Sequence, residues 1–322
     1  MKKLKYAASG ILFLFVLIMV GPRVDESYEV KNNIIPDSVD EYLAQSESKY
    51  NDIRPETEKK VTWVNPIKKE KTPISIVYLH GYSASRKELY PVIDIIANEL
   101  KANIFFTRLA GHGRTPDAMG DATVNDWIND AIEAIRIGEK IGEKVIIIGN
   151  STGATLGAWL GANSVSNKVV AYVFYSPNFG PKDPLAGFAL YPWGKQVGDL
   201  VLGKYRSMEV TNDGMKKYWT YKSRTSSTVT MMGLVDVVNR ADLSKIKEPF
   251  LIVYSDKDEV VDPIKIKQRF NEIGSQNKKL IVFNESERKN HHVLAGDAMS
   301  PSTNEKVIKI TLDFLNSIET KK

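Results

Sequence analysis

A serine flanked by small residues, a late pair of histidines and a cluster of carboxylates are the groups here whose types and spacing could do chemistry together. Ser151 stands in Gly149-Asn150-Ser151-Thr152-Gly153, directly after the apolar run Val145-Ile146-Ile147-Ile148. The bare pattern G-x-S-x-G is weak: at about 7% each of glycine and serine, a chain this long shows it by chance roughly one time in ten. Its context is specific. A serine in a sharp turn between a buried strand and a helix is lifted out of the sheet. The next backbone N–H then lies at a helix N-terminus, and small neighbours let strand and helix approach. A dinucleotide loop is the functional rival, but G-x-G-x-x-G is not matched.

A serine hydroxyl needs a base to become a nucleophile. The chain holds four histidines, His80, His112, His291 and His292. With a serine in such a turn, acid and base follow it in chain order. That leaves His291 and His292 for the base. For the acid it leaves the segment Ser255-Asp256-Lys257-Asp258-Glu259-Val260-Val261-Asp262-Pro263, with four carboxylates. One of them must turn inward to orient the imidazole.

The elements that position these groups alternate. Val61–Val64, Ile74–Leu79, Asn103–Thr107, Lys144–Ile148, Val169–Tyr175, Phe250–Tyr254 and Leu280–Phe283 read as strands. Helical spacing runs over Lys87–Leu100, Val124–Ile141, Thr152–Leu160, from Pro263, and over Asn304–Ile318. Strict alternation argues for an α/β fold, a doubly wound, mostly parallel sheet with helices on both faces. The alternation breaks at Ser176-Pro177-Asn178. Residues from about 178 to 242 read as a cap, and Phe188, Leu190, Tyr191, Trp193, Met231, Met232 and Leu234 are candidates for its small core and for the wall of the entrance to Ser151. Ahead of the sheet, residues 24–70 read as a polar arm carrying a helix capped by Ser38, then the first strand.

The chain also resembles the α/β-hydrolase superfamily from roughly Pro73 onward, nearest its bacterial carboxylesterase and monoglyceride-lipase-like branch, which shares the fold of S33-type serine aminopeptidases. Four motifs carry the likeness: LHGYSAS at 79–85, LAGHGRTP at 109–116, GNSTG at 149–153, and YSDKDEVVDP followed by HHVL. The resemblance implies a Ser151–His292–Asp258 triad, because the base precedes a Val-Leu pair and the acid stands in G-x-x-D-x-V. Ser255 replaces the usual glycine there, and Asp262 precedes the loop's proline. It also implies an oxyanion hole from the backbone N–H groups of Tyr82 and Thr152, and gives His112 no catalytic role. The triad implies ester hydrolysis with no metal or organic cofactor, and the methionine and aromatic residues of the cap point to short to medium acyl esters or monoacylglycerols. An acyltransferase, thioesterase, peptidase or C–C hydrolase could use the same triad. A non-catalytic binding protein is the rival of another class.

Composition narrows the rest. Lysine and arginine number 44 against 39 acidic residues, a net charge of +5. Lys2, Lys3, Lys5, Lys321 and Lys322 match that excess, so the body is balanced and nothing argues for nucleic acid. The absence of cysteine removes disulfides, thiolate metal sites and a cysteine nucleophile. Lys2, Lys3 and Lys5 precede the apolar run Tyr6–Val20, which reads as a signal anchor or signal peptide over residues 1–23. The positive-inside rule then puts the catalytic domain outside the cytoplasm, in the periplasm or at the cell surface. Cleavage would instead give a secreted enzyme.

Overall fold

The computed structural model describes residue 16, residues 19–31 and residues 33–319. Its main sheet has seven strands: β1 (Lys60–Thr62), β2 (Thr72–Leu79), β3 (Asn103–Phe106), β4 (Gly142–Asn150), β5 (Val169–Tyr175), β8 (Phe250–Tyr254) and β9 (Lys278–Val282), with β6 and β7 lying elsewhere. Their spatial order is β1-β3-β2-β4-β5-β8-β9. Only the edge strand β1 runs antiparallel, pairing Val61 with Phe105. Alternation along the central strands sends side chains to two cores. Val77, Leu79, Val145 and Ile147 face one core, and Ile76, Tyr78, Ile146 and Ile148 face the other. Val124–Ile141 and Thr152–Ala162 cover the first face, and Val92–Glu99 and Asn304–Glu319 the second. A strand segment buried on both sides must be apolar, which is what Val145–Ile148 of β4 and the whole of β8 are. The fold is therefore the doubly wound, mostly parallel α/β arrangement that alternation implied.

Helix Val124–Ile141 begins where its cap demands. Thr123 accepts from the Asp126 N–H, and Asp126 accepts from the Thr123 N–H, a reciprocal capping box. Its stripe of Trp127, Ile128, Ala131, Ile132 and Ile135 is buried. The helix expected from Lys87 starts instead at Val92. Pro91 sets that limit, since a proline inside a helix removes a donor and keeps the residue before it out of helical space.

The stretch read as a polar arm is docked against the sheet. In its helix, Val39–Glu47, Val39 and Leu43 are buried in the first core. Glu47 accepts from Arg108 at 2.7 and 2.9 Å. Ser38 precedes that helix but its side chain makes no capping bond, contrary to expectation.

Between β5 and β8 the chain leaves the sheet. It forms a 3-10 helix at Pro184–Leu190, helices at Gly194–Leu202, Asp213–Tyr218 and Ser226–Asn239, and the hairpin of β6 (Tyr205–Ser207) with β7 (Lys222–Arg224). Among the described residues no helix is long and apolar enough to cross a membrane. The apolar run Tyr6–Val20 falls mostly outside those residues.

Candidate active site

Ser151 directly follows β4 and caps the start of the helix Thr152–Ala162 with φ at +51°, a region that costs a non-glycine residue energy and needs support from its surroundings. The support is visible. The Ser151 N–H donates to the Tyr175 carbonyl at 2.9 Å, and its own carbonyl accepts from the Asn178 and Thr155 N–H groups. The flanking glycines are required by space. A Cβ on Gly153 would sit 1.9 Å from the Leu79 carbonyl oxygen, and one on Gly149 would sit 2.6 Å from Ala154 Cα. Strand and helix therefore approach too closely for any side chain, the condition the sequence pattern pointed to.

From Ser151 a chain of two hydrogen bonds runs inward. His292 Nε2 lies 2.9 Å from Ser151 Oγ, and His292 Nδ1 lies 2.8 Å from Asp258 Oδ2. Asp258 Oδ1 accepts the N–H groups of Val260 and Val261 at 2.8 and 2.9 Å. All three residues are buried. The two backbone donors fix the carboxylate, and the carboxylate fixes the ring with its proton on Nδ1 and its lone pair towards serine. Burial works to lower the His292 pKa. The charge and hydrogen bond of Asp258 outweigh it, and the net position is above the ordinary 6.5.

The other candidates resolve by their partners. His291 makes no bond to Ser151 and its Nδ1 is buried without a hydrogen-bond partner. Asp256 and Glu259 are exposed. Asp262 caps the helix Pro263–Glu272 by accepting the Ile264 N–H at 2.9 Å. His80 bridges the Gly81 carbonyl and the Leu109 N–H, and burial depresses its pKa to about 4. His112 packs 5.0 Å from His80, ring to ring, and is likewise held neutral by burial.

Tyr82 follows His80-Gly81 and lines the same cavity as Ser151 and His292, a space of about 470 Å³. Thr152 is the first residue of its helix, so its N–H has no partner within that helix. Sequence reasoning missed what the Tyr82 side chain does. Its hydroxyl lies 2.6 Å from Ser227 Oγ and so ties the turn after β2 to the cap.

The cap wall differs from expectation. Met231 lines the cavity, together with Met208, Met299, Trp219 and Tyr221. Met232 and Leu234 are buried, Leu234 in the first core. Phe188, Tyr191 and Trp193 lie on the outer surface of the cap, at 62%, 60% and 38% exposure. Along Ser226–Asn239 successive residues face different sides, so Met231 and Met232 cannot share one wall. Residues 184–202 form an outer layer. Nor did the sequence mark Glu88, which is buried, lines the cavity and accepts the Gly81 N–H at 2.8 Å.

The relatives agree with this architecture. A thermostable monoacylglycerol lipase of Bacillus sp. (strain H-257) is 23% identical over 254 residues, covering 77% of this chain and 93% of that one. Among solved structures, that of the metagenome-derived lipolytic enzymes LipS and LipT superposes with a TM-score of 0.64 at 20% identity, over 82% of this chain and 99% of that one. A soluble variant of the Saccharomyces cerevisiae monoglyceride lipase, in complex with a substrate analogue, gives a TM-score of 0.60 at 12% identity, over 81% and 91%. At those identities the structures speak for the fold alone. The family model described as serine aminopeptidase, S33, matches residues 71–294, which hold the serine, acid and histidine, and the chain belongs to that α/β-hydrolase family.

Proposed function

We propose that the protein is a serine-dependent carboxylic ester hydrolase acting on short to medium acyl esters or monoacylglycerols. The observation that carries this reading is the hydrogen-bonded chain Ser151–His292–Asp258 opening into a cavity whose lining includes Met208, Met231, Met299, Trp219 and Tyr221. Ser151 attacks the acyl carbonyl as His292 Nε2 takes its proton. Asp258 stabilises the imidazolium that forms. The N–H groups of Tyr82 and Thr152 receive the oxyanion, a contribution of about 3–4 kcal/mol per donor in comparable sites. His292 returns the proton to the leaving alcohol, and water then releases the acyl-enzyme by the same route.

The wall favours an acyl chain over a peptide. Methionine and aromatic groups make an adaptable apolar surface. An aminopeptidase would need a free carboxylate for the substrate's ammonium. The two carboxyl groups on the wall, Glu88 and Asp183, already accept protein donors, and Arg206 and Arg288 line the same space. That monoacylglycerol lipases stand among the relatives points the same way.

The reading includes a membrane location, with the N-terminal run as anchor and the catalytic domain outside the cytoplasm. The outer cap layer supports it: Leu200 and Val201 are 85% and 72% exposed, more apolar surface than a wholly aqueous setting favours. The Trp193 N–H in that layer donates to the Pro22 carbonyl at 2.8 Å, where the apolar run ends.

The test is turnover of p-nitrophenyl esters of graded acyl length. Each methylene that fits the wall adds about 0.8 kcal/mol, so kcat/KM rises with length and falls once the pocket is full. A flat profile, or faster cleavage of aminoacyl amides than of any ester, would remove the acyl-pocket reading.

A further inference from the structure

Glu88 lies outside the serine–histidine–aspartate chain but faces the same cavity, at 2% exposure. Its Oε2 accepts two bonds, from the Gly81 N–H at 2.8 Å and from the Tyr78 hydroxyl at 3.0 Å. Gly81 directly precedes Tyr82, so this carboxyl holds the turn that carries an oxyanion donor. Its Oε1 and the Ser151 side chain both border the space beside Gly81. A methyl group placed on Gly81 would stand 2.7 Å from Glu88 Oε1, 3.3 Å from Ser151 Cβ and 3.4 Å from Asn150 Nδ2. The Asn150 amide, which has no firm partner elsewhere among the described residues, can meet either protonation state of Oε1.

Among the described residues no lysine or arginine is paired with Glu88, although Arg206 and Arg288 line the same cavity. Arg86 is turned to Glu58, and Lys87 stands over the Tyr90 ring near Glu56. The ionisable groups that face Glu88 are Tyr78 from β2, with Tyr175 of β5 behind it, and His292 from the loop after β9. Asp258 faces the far side of His292. The Gly296 segment packs on the Glu88 backbone, where a Cβ on Gly296 would sit 2.5 Å from the Glu88 carbonyl oxygen. Burial pushes the Glu88 carboxyl up to about 7, against the lowering effect of its hydrogen bonds and of His292. The charge of Glu88 in turn helps to raise His292.

We propose that Glu88 is a positioning residue that holds the oxyanion turn and sets the proton affinity of the catalytic base. Neutral Glu88 supports the Gly81–Tyr82 turn and leaves His292 free to take the serine proton. Ionised Glu88 keeps the turn but favours the cationic form of His292, which cannot act as base. Two sites that share protons in this way titrate as a pair. The inference rests on the serine-hydrolase reading of the same site.

The experiment is the pH profile of kcat/KM for p-nitrophenyl butyrate, paired with the rate of labelling by a fluorophosphonate probe, for wild type, Glu88→Gln and Glu88→Ala. Gln is isosteric, keeps an acceptor for both donors and removes the charge. Its acid limb therefore moves to lower pH, and at a fixed pH on that limb the rate rises about 3-fold or more. Ala leaves the Gly81 N–H without its partner, so kcat falls about 10-fold or more with little change in KM. A merely structural role would not move the limb in the Gln variant. Acid limbs that superimpose, or an Ala variant with wild-type kcat, would overturn the proposal. A wild type inert to both ester and probe would sink the functional reading and this inference with it. A wild type that reacts while the limbs superimpose sinks this inference alone.

Discussion

Replacing Asp258 with asparagine tests the geometry of the site more sharply than removing it. Asp258 Oδ1 accepts two backbone N–H groups, and Oδ2 accepts the imidazole Nδ1–H. The amide has one acceptor oxygen. If that oxygen keeps the Val260 and Val261 donors, the NH2 group faces Nδ1. The imidazole must then carry its proton on Nε2, pointing at Ser151, and the base is lost. The flipped amide restores the productive tautomer but turns its NH2 against both backbone donors. Leaving one buried and one part-buried donor unpaired costs about 1–3 kcal/mol each, or about 2–6 kcal/mol together. At 1.36 kcal/mol per tenfold, the productive fraction falls between roughly 1 in 30 and 1 in 10^4. Steady-state kcat on p-nitrophenyl butyrate should fall within that range. Tm should barely move, because the backbone bonds survive in the favoured orientation. Asp256→Asn, at an exposed position, serves as the control and stays near wild type. A loss under about 5-fold for Asp258→Asn, or an equal loss for Asp256→Asn, would refute the tautomer argument.

The remaining predictions probe other parts of the site. His292→Ala abolishes turnover while His291→Ala retains most of it, as esterase assays on the two purified variants will show; the opposite ranking would contradict the placement of the base. Gly153→Ala forces a Cβ to 1.9 Å from the Leu79 carbonyl. It should lower Tm by at least about 2 °C or prevent soluble expression, since overpacking costs about 1–3 kcal/mol or more. Gly187→Ala meets nothing within 4 Å and leaves the melting curve unchanged. The full-length chain sediments with membranes after cell fractionation, and removal of residues 1–23 releases active enzyme to the soluble fraction. An N-terminus mapped near residue 22 in mature protein would replace the anchor with a cleaved signal.

What could be read from the sequence follows from how local each signal is. The strands Val169–Tyr175 and Phe250–Tyr254 were delimited to the residue because buried parallel strands are apolar on both faces. Helix Val124–Ile141 carries its own cap and stripe. The serine turn was legible because its glycines answer a local steric demand. The roles of Asp258 and His292 came from motif likeness, and their meeting across 34 residues of chain is tertiary. Glu88 gave no signal: at the start of the helical spacing Lys87–Leu100, beside Arg86 and Lys87, it reads as one more surface charge. Only closure of that segment over Tyr78 buries it. The cap wall was misread for the same reason, since which of Met231 and Met232 faces the cavity depends on how the helix Ser226–Asn239 rotates against the sheet. The bond from Tyr82 to Ser227 spans 145 residues and follows no pattern in the chain.

The central claim is that Ser151 is the nucleophile of an ester hydrolase. Its most direct test is p-nitrophenyl butyrate turnover by Ser151→Ala beside wild type, at matched melting temperature. Ser151 is the hydroxyl that meets His292 Nε2, so its removal should abolish nearly all turnover, down to the small residue that an oxyanion hole and binding alone sustain. Turnover within a few-fold of wild type in that variant would contradict it.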